Sequence, residues 1–212
     1  MTKYTETPFT ITIPADTKVI GMQMSGGADS TLAAYLYAKV IKENNLDVKL
    51  KRITFSFSDK YDTFETARLA QDNITALLEF DPWEEAHEVL YKEKKLHSTI
   101  EQLQYLFDGG LIDHTVYSRT MNPSVSLIPD PENNRVLDRD APIEDSSSDI
   151  SEPFYTFKKD VLLQKYIDLG IYDSLFAQTV SCDTDKENGL VPPCNECWWC
   201  KERAWAITQV GK

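Results

Sequence analysis

Lys18-Val19-Ile20-Gly21-Met22-Gln23-Met24-Ser25-Gly26-Gly27-Ala28-Asp29-Ser30-Thr31 is the stretch on which the fold of this chain turns. Lys18–Met24 is a short apolar run of the kind that makes a buried strand. Ser25-Gly26-Gly27 follows as a turn. Between Asp29 and Asn44, Leu32, Leu36 and Val40 recur on one side with Ala33 and Tyr37 beside them, the spacing of a helix. Arg52–Ser58 alternates Ile53, Phe55 and Phe57 with Thr54, Ser56 and Ser58, which predicts a second strand. Phe64, Ala67, Ile74, Leu77 and Leu78 give a second helical face. Strand, helix, strand, helix at this spacing predicts an α/β fold on a parallel sheet.

Further along, Trp83–Phe107 is charged and helical by composition, and Asp108-Gly109-Gly110 stops it. Thr115–Tyr117 reads as a short strand. Pro129–Pro153 holds four of the ten prolines and eight acidic residues against two arginines, and it reads as a long loop, either an insertion or a lid. Asp160–Leu169 returns to helix, stopped by Gly170. The expected organisation is a nucleotide-binding α/β core over 1–128, the acidic loop over 129–153, and a C-terminal helical segment with a metal site over 154–212.

The chain has 212 residues, with 22 Lys+Arg against 34 Asp+Glu, a formal charge of −12. Such an acidic surface argues against a direct nucleic-acid or anionic-membrane partner, which needs a basic face. No run approaches the ~20 apolar residues of a membrane span. Met1–Lys18 lacks the apolar core of a secretory signal, so the expected compartment is the cytoplasm.

The glycine turn has the makings of an anion cradle. Glycines let the backbone bend sharply and approach a ligand. The helix that follows presents unpaired N–H groups and the positive end of its dipole. Hydroxyls of Ser25, Ser30 and Thr31 can add donors. Asp29 is unfavourable beside a phosphate unless a Mg²⁺ ion, a backbone N–H or a structural role compensates it. The plainer alternative is a strand-to-helix turn capped by Asp29 or Ser30. Neither the G-x-x-x-x-G-K-[ST] loop nor G-x-G-x-x-G is present.

All four cysteines lie in one C-terminal pattern, Cys182-x11-Cys194-x2-Cys197-x2-Cys200. Thiolates at this spacing can converge on one tetrahedral ion, which points to a structural Zn²⁺. An iron–sulfur cluster or disulfides are the alternatives. Trp198 and Trp199, between ligands, are expected to pack on the core, and Pro192-Pro193 to stiffen the approach to Cys194. His87, His97 and His114 show no ligand spacing.

Ser25-Gly26-Gly27-Ala28-Asp29-Ser30 resembles the S-G-G-x-D-S loop of the PP-loop ATP pyrophosphatases. With the cysteine pattern, and with Pro153-Phe154, Lys159, Leu169-Gly170 and Thr179-Val180-Ser181-Cys182 approaching it, the chain resembles the 7-cyano-7-deazaguanine synthase family of queuosine-precursor synthesis. The chain departs at Ser56-Phe57-Ser58-Asp59-Lys60-Tyr61, where that family has a Tyr-Gly-Gln-Arg-like stretch. Ser118-Arg119-Thr120-Met121-Asn122 only partly echoes its Pro-Gly-Arg-Asn motif, and the acidic loop replaces another segment. The resemblance implies a doubly wound parallel sheet, adenine nucleotide α-hydrolase-like, with a small four-cysteine zinc subdomain. It implies ATP and Mg²⁺, a 7-deazaguanine acid and ammonia as partners, and a homodimer. Related enzymes that stop at the amide, or act on another acid or on tRNA, and a nucleotide-binding protein without catalysis, are the alternatives.

On that reading Met24, Ser25, Gly26, Gly27, Ala28, Asp29, Ser30 and Thr31 would hold pyrophosphate, with Asp29 on Mg²⁺. Ser56 and Phe57, at the end of the second strand, would face adenosine, because ligands sit beyond the carboxyl ends of parallel strands. Lys159 and Arg119 would stabilise phosphate charge. Cys182, Cys194, Cys197 and Cys200 would hold the metal.

Overall fold

A computed structural model describes residues 1–57, 63–91, 96–121, 123, 149–182 and 193–212, the side chains of residues 57 and 96–98 excepted. Five parallel strands carry the fold: β3 (Val19–Gln23), β4 (Lys49–Phe57), β5 (His87–Tyr91), β6 (His114–Val116) and β7 (Ile150–Ser151). Their order is β5-β4-β3-β6-β7. From β3 the chain moves outward to β4 and β5, then returns to pair β6 on the other side of β3. That reversal makes β3/β6 the topological switch point, where open α/β sheets leave a crevice.

Both sheet faces are covered. On one, α1 (Ala28–Glu43) and α2 (Thr63–Leu78) pack Leu32, Leu36, Ala67 and Ile74 into a core with Ile20, Met22 and Leu50. On the other, α3 (Leu96–Asp108) closes a smaller core of Leu103 and Leu106 with Ile53 and Ile112. The period-two alternation of β4 sends successive residues to opposite faces, which is why Leu50 and Ile53 enter different cores. Two cores on two faces make the sheet doubly wound. Each large apolar side chain so buried contributes roughly 1.5–3 kcal/mol.

A hairpin precedes the sheet, β1 (Thr2–Glu6) paired antiparallel with β2 (Phe9–Ile13). Phe9, Ile11 and Ile13 face the larger core, and Phe9 meets the ring of Phe154 at 4.6 Å. Glu6 ties the hairpin to two helices. It pairs with Lys39 of α1 at 2.5 Å and with Lys165 of α4 (Lys159–Asp168) at 3.1 Å. The last helix, α5 (Trp198–Gln209), packs on α4.

Two expectations are corrected. Trp83–Phe107 is not one helix. Trp83 bridges Leu50, His87–Tyr91 is the edge strand β5, and helix begins at Leu96. The acidic residues hide a five-residue alternation in which His87, Val89 and Tyr91 are half-buried and Glu88 and Leu90 exposed. Pro129–Pro153 is not loop throughout, because Ile150–Ser151 adds β7 to the edge of the sheet. Residues 129–148 of that loop, Ser58–Tyr61, Asn122 and Pro192 lie outside the described residues. The other boundaries agree within a few residues, and Gly110 and Gly170 end their helices at positive φ. His114 is buried on Ser151 Oγ at 2.8 Å, and His87 meets Gln102 at 3.3 Å. Among the described residues no helix is long and apolar enough to cross a membrane.

Candidate functional site

The turn between β3 and α1 is built around Gly26. Its φ of +75° is a left-handed conformation that side chains rarely adopt. A Cβ there would stand 2.7 Å from the backbone of Thr66, so α2 packs directly on the turn. Further bonds shape it. Thr66 Oγ1 donates to Ser25 O at 3.2 Å, Val180 N–H donates to Gly26 O at 2.9 Å, and Ser30 Oγ donates to Gly27 O at 3.2 Å. Ser25 N–H reaches Ser30 Oγ at 3.3 Å. Gly27 is the N-cap of α1 with no side-chain cap, so the first N–H groups of that helix are left for a ligand.

The turn opens on a cavity of about 420 Å³ at the switch point. Gln23, Met24, Ser25, Gly27, Ala28, Asp29 and Ser30 form one wall. Ile53, Phe55 and Thr63 come from β4 and the start of α2, and Tyr117, Ser118 and Arg119 from just beyond β6. Lys159 of α4, Val180, Ser181, Cys182 and Trp199 close it. This size suits a small-molecule ligand. Three polar side-chain atoms of its lining are buried and unbonded among the described residues: Gln23 Nε2, Asp29 Oδ1 and Ser181 Oγ. Unpaired buried polar atoms are costly, so their grouping around one cavity points to a polar ligand.

Lys159 is the charge at the centre. Its side chain is 2% exposed, with Nζ 2.6 Å from Glu202 Oε2 and 3.3 Å from Asp29 Oδ2. Burial alone would depress its pKa, but the carboxylates of Asp29 and Glu202 outweigh burial and hold it above the usual lysine value. Lys159 thus supplies part of the compensation that Asp29 needs beside an anion site. The three charges leave a net −1, with one Asp29 oxygen unbonded. That donor set fits a divalent cation such as Mg²⁺. Arg119 pairs with Glu152 and sits 5.4 Å from the centroid of the Tyr117 ring.

Of the residues singled out by sequence, the cavity lining brings together Met24, Ser25, Gly27, Ala28, Asp29, Ser30, Arg119, Lys159 and Cys182. Gly26 and Thr31 lie behind the turn, both buried. Ser56 is buried in β4 and does not line the cavity, whereas Ile53 and Phe55, on the other side of the pleat, do. The side chain of Phe57 lies outside the described set. Sequence reasoning missed Gln23, Tyr117, Ser181 and Glu202. The first two had a signal, since they sit at or just past strand ends at the switch point.

The four cysteines converge beside this cavity. Their sulfurs all lie within 4.8 Å of one another, with Cys194–Cys200 at 3.9 Å and Cys182–Cys197 at 4.0 Å, and no disulfide forms. The sulfurs are close enough to share one metal ion. Burial pushes the Cys200 thiol well up, so a thiolate there calls for a cation. Trp199 packs edge-on against Trp198 at 5.4 Å and also lines the cavity.

No protein-family model matches the chain, and no curated protein matches it. Among solved structures it is similar to the U34-tRNA thiolase NcsA from Methanococcus maripaludis with its [4Fe-4S] cluster, at 13% identity and a TM-score of 0.44, over 73% of this chain and 57% of the thiolase. It is similar to the NAD+ synthetase from Burkholderia pseudomallei at 13% identity and 0.41, over 77% of this chain and 76% of the synthetase. It is also similar to the N,N'-diacetylchitobiose deacetylase from Pyrococcus horikoshii at 13% identity and 0.38, over 92% of this chain and 80% of the deacetylase. The chain therefore spans little more than half the length of the thiolase, and likeness at this level identifies neither a family nor an activity.

Proposed function

We propose that this protein is a PP-loop enzyme that cleaves ATP between its α and β phosphates to activate a carboxylate, and that its acceptor is 7-carboxy-7-deazaguanine, converted through the amide to the nitrile. The observation that carries the reading is the cavity at the switch point, where the uncapped N-terminus of α1, the Ser25–Ser30 turn and buried Lys159 face one space. The six-residue loop sequence and the cysteine pattern support the choice of family.

A carboxylate resists ammonia because its oxygen leaves badly. In the proposed reaction that oxygen attacks the α-phosphorus, the bond to the bridging oxygen breaks, and pyrophosphate leaves. Ammonia then adds to the acyl carbon, AMP leaves with the oxygen, and a proton is released. A second ATP takes the amide oxygen in the same way, and loss of AMP and of both amide protons yields the nitrile. The chain's part is to position and to stabilise charge. Backbone N–H groups in the first turn of α1, with the hydroxyls of Ser25 and Ser30, bind pyrophosphate. Lys159 offsets the developing charge, and Arg119 meets phosphate or acceptor from the β6 side. Mg²⁺, held by Asp29, would neutralise phosphate charge.

For the cysteine site a single Zn²⁺ is the proposed occupant. Tetrahedral ligation at about 2.3 Å puts sulfurs about 3.8 Å apart, near the 3.9 and 4.0 Å of two of the pairs, with all four sulfurs within 4.8 Å. A four-iron cluster gives each thiolate its own iron and spreads the sulfurs wider. Cys182 in the cavity wall is what favours the second reading, sulfur transfer to RNA by a cluster at that site. The charge of −12 speaks against it.

Incubation with ATP, Mg²⁺, ammonium and 7-carboxy-7-deazaguanine tests the proposal by product mass. Pyrophosphate, AMP and the nitrile are expected. Phosphate release in place of pyrophosphate refutes the ATP step. Pyrophosphate release with a different acid, and none with the deazaguanine, keeps the ATP step and removes the acceptor.

A further inference from the structure

The two residues that follow Cys200 by two and three positions both reach toward the nucleotide turn. Cys197 is the N-cap of α5 and Cys200 lies in its first turn, so the four-cysteine site anchors the start of that helix. Glu202 projects from α5 into a fully buried ion pair with Lys159, the first residue of α4, and Lys159 in turn meets Asp29 at the start of α1. Arg203 donates to Thr179 Oγ1 at 2.6 Å and to Phe176 O at 2.9 Å, with its guanidinium 3.9 Å from the Phe176 ring centroid. The next residue after Thr179 is Val180, whose N–H holds Gly26 O at 2.9 Å. One turn of helix thus reaches both ends of the Gly26–Asp29 segment, through Lys159 at one end and through Thr179-Val180 at the other.

We propose that Glu202 is a positioning residue through which the four-cysteine site sets Lys159 against the nucleotide turn, so that metal occupancy controls how tightly the cavity holds a nucleoside triphosphate. The inference rests on the nucleotide reading above. Lysine is a point charge on a flexible four-carbon stem, and one carboxylate at 3.3 Å does not fix it. The shorter contact to Glu202 does, and Glu202 is placed by the helix start that the metal secures. Thiol and N–H contacts to sulfur link the four cysteines only weakly, and an ion would bind them far more firmly. When the ion leaves, the first turn of α5 loses its anchor, Glu202 and Arg203 shift, and both struts to the turn loosen together. A buried ion pair is in itself weak evidence for stability, which leaves positioning as the account of why this one persists beside a cavity.

Calorimetric titration with Mg²⁺-ATP, on the protein as purified and after removal of its metal by a chelator, tests the inference without reference to turnover. Metal removal is expected to weaken binding about tenfold or more. Glu202→Gln in the metal-loaded protein is expected to weaken it comparably, and chelation of that variant to add little, because both act through the same contact. Lys159→Met with Glu202→Leu removes the whole contact, and its ATP binding is expected to be weak and insensitive to the metal. Equal affinity with and without metal overturns the proposal. So does full metal dependence retained in Glu202→Gln, or parental affinity in the apolar double variant. In those cases the nucleotide reading stands. If the metal-loaded parent binds no ATP, the nucleotide reading fails and this inference with it.

Discussion

Replacing Gly26 with alanine puts a methyl group where the backbone leaves no room. A left-handed residue with a Cβ costs roughly 1–2 kcal/mol, and Gly26 has φ +75°. The added carbon would lie 2.7 Å from the carbonyl carbon and Cβ of Thr66 and 2.8 Å from its carbonyl oxygen. Thr66 belongs to α2, so relief requires moving a helix, and overpacking of this kind costs about 1–3 kcal/mol. Together Gly26→Ala is expected to lose about 2–5 kcal/mol, a fall in melting temperature of roughly 4–20 °C for a chain of this size. Gly27→Ala separates stability from binding. Its backbone is ordinary, at φ −75°, and its Cβ would meet only Ser25 Oγ at 3.3 Å and Val180 O at 3.7 Å. A stability change of about 1 kcal/mol or less is expected, with ATP affinity reduced tenfold or more because the methyl intrudes on the helix N-terminus. Urea denaturation and calorimetric titration with Mg²⁺-ATP measure the two effects. The reasoning fails if Gly26→Ala unfolds within about 0.5 kcal/mol of the parent, or if Gly27→Ala binds ATP as the parent does.

Lys159→Met leaves Asp29 and Glu202 buried without their shared cation and is expected to cost about 3–5 kcal/mol by denaturant unfolding. Because the Lys159 pKa is raised on folding, its contribution is whole below the unfolded value near 10.5 and is lost only as pH climbs through the folded value. The variant should therefore lose part of the parent's alkaline decline. Glu6 behaves in the opposite sense. Burial would raise its pKa, but the ammonium groups of Lys39 and Lys165 outweigh burial and lower it, so its contribution is present above about 4.5 and is lost as pH falls through the folded value. Glu6→Gln should flatten that acid decline in a stability–pH series. Elemental analysis of the purified protein should find one zinc per chain, lost in Cys194→Ser; iron with labile sulfide would replace the single-ion reading.

The strand, turn and helix around Gly26 were legible because their signals are local. An apolar run, a pair of glycines and a 3.6-residue period each lie within a dozen residues. Alternation in Arg52–Ser58 marked β4 for the same reason. The edge strand β5 was hidden because an edge exposes half its side chains, and Glu84, Glu85 and Glu88 made the stretch look like a charged helix. The hairpin strand Phe9-Thr10-Ile11-Thr12-Ile13 did carry a period-two signal, but hairpins outside the main sheet are not implied by an α/β pattern. Around the site, Asp29 and the cysteines announced themselves by motif. Glu202 could not. Nothing in Cys200-Lys201-Glu202-Arg203 says which charged residue turns inward, since that is decided by the packing of α5 on α4. The cavity side of β4 was a matter of pleat parity, which Ser56 does not share with Ile53 and Phe55.

Asp29 raises the remaining question of charge in a turn built for anions. Lys159 answers half of it, since its ammonium lies 3.3 Å from Asp29, but the same ammonium lies 2.6 Å from Glu202. Two carboxylates and one cation leave this cluster one negative charge beside the turn, which Arg203, near enough to Asp29 to feel its charge, offsets in part. A unit charge held within about 5 Å of another, at an effective dielectric near 20, is repelled by ~3 kcal/mol, a factor of roughly a hundred in affinity. On the proposed function the cluster disfavours free ATP and favours ATP that arrives with a divalent cation, which the unbonded Asp29 Oδ1 can meet. Titration of ATP in excess chelator should give binding about a hundredfold weaker than in excess Mg²⁺, and Asp29→Asn should narrow that gap while leaving Lys159 paired to Glu202. Equal ATP affinity in both media would mean that Lys159 already neutralises the wall, and that Asp29 serves the turn and not the ligand.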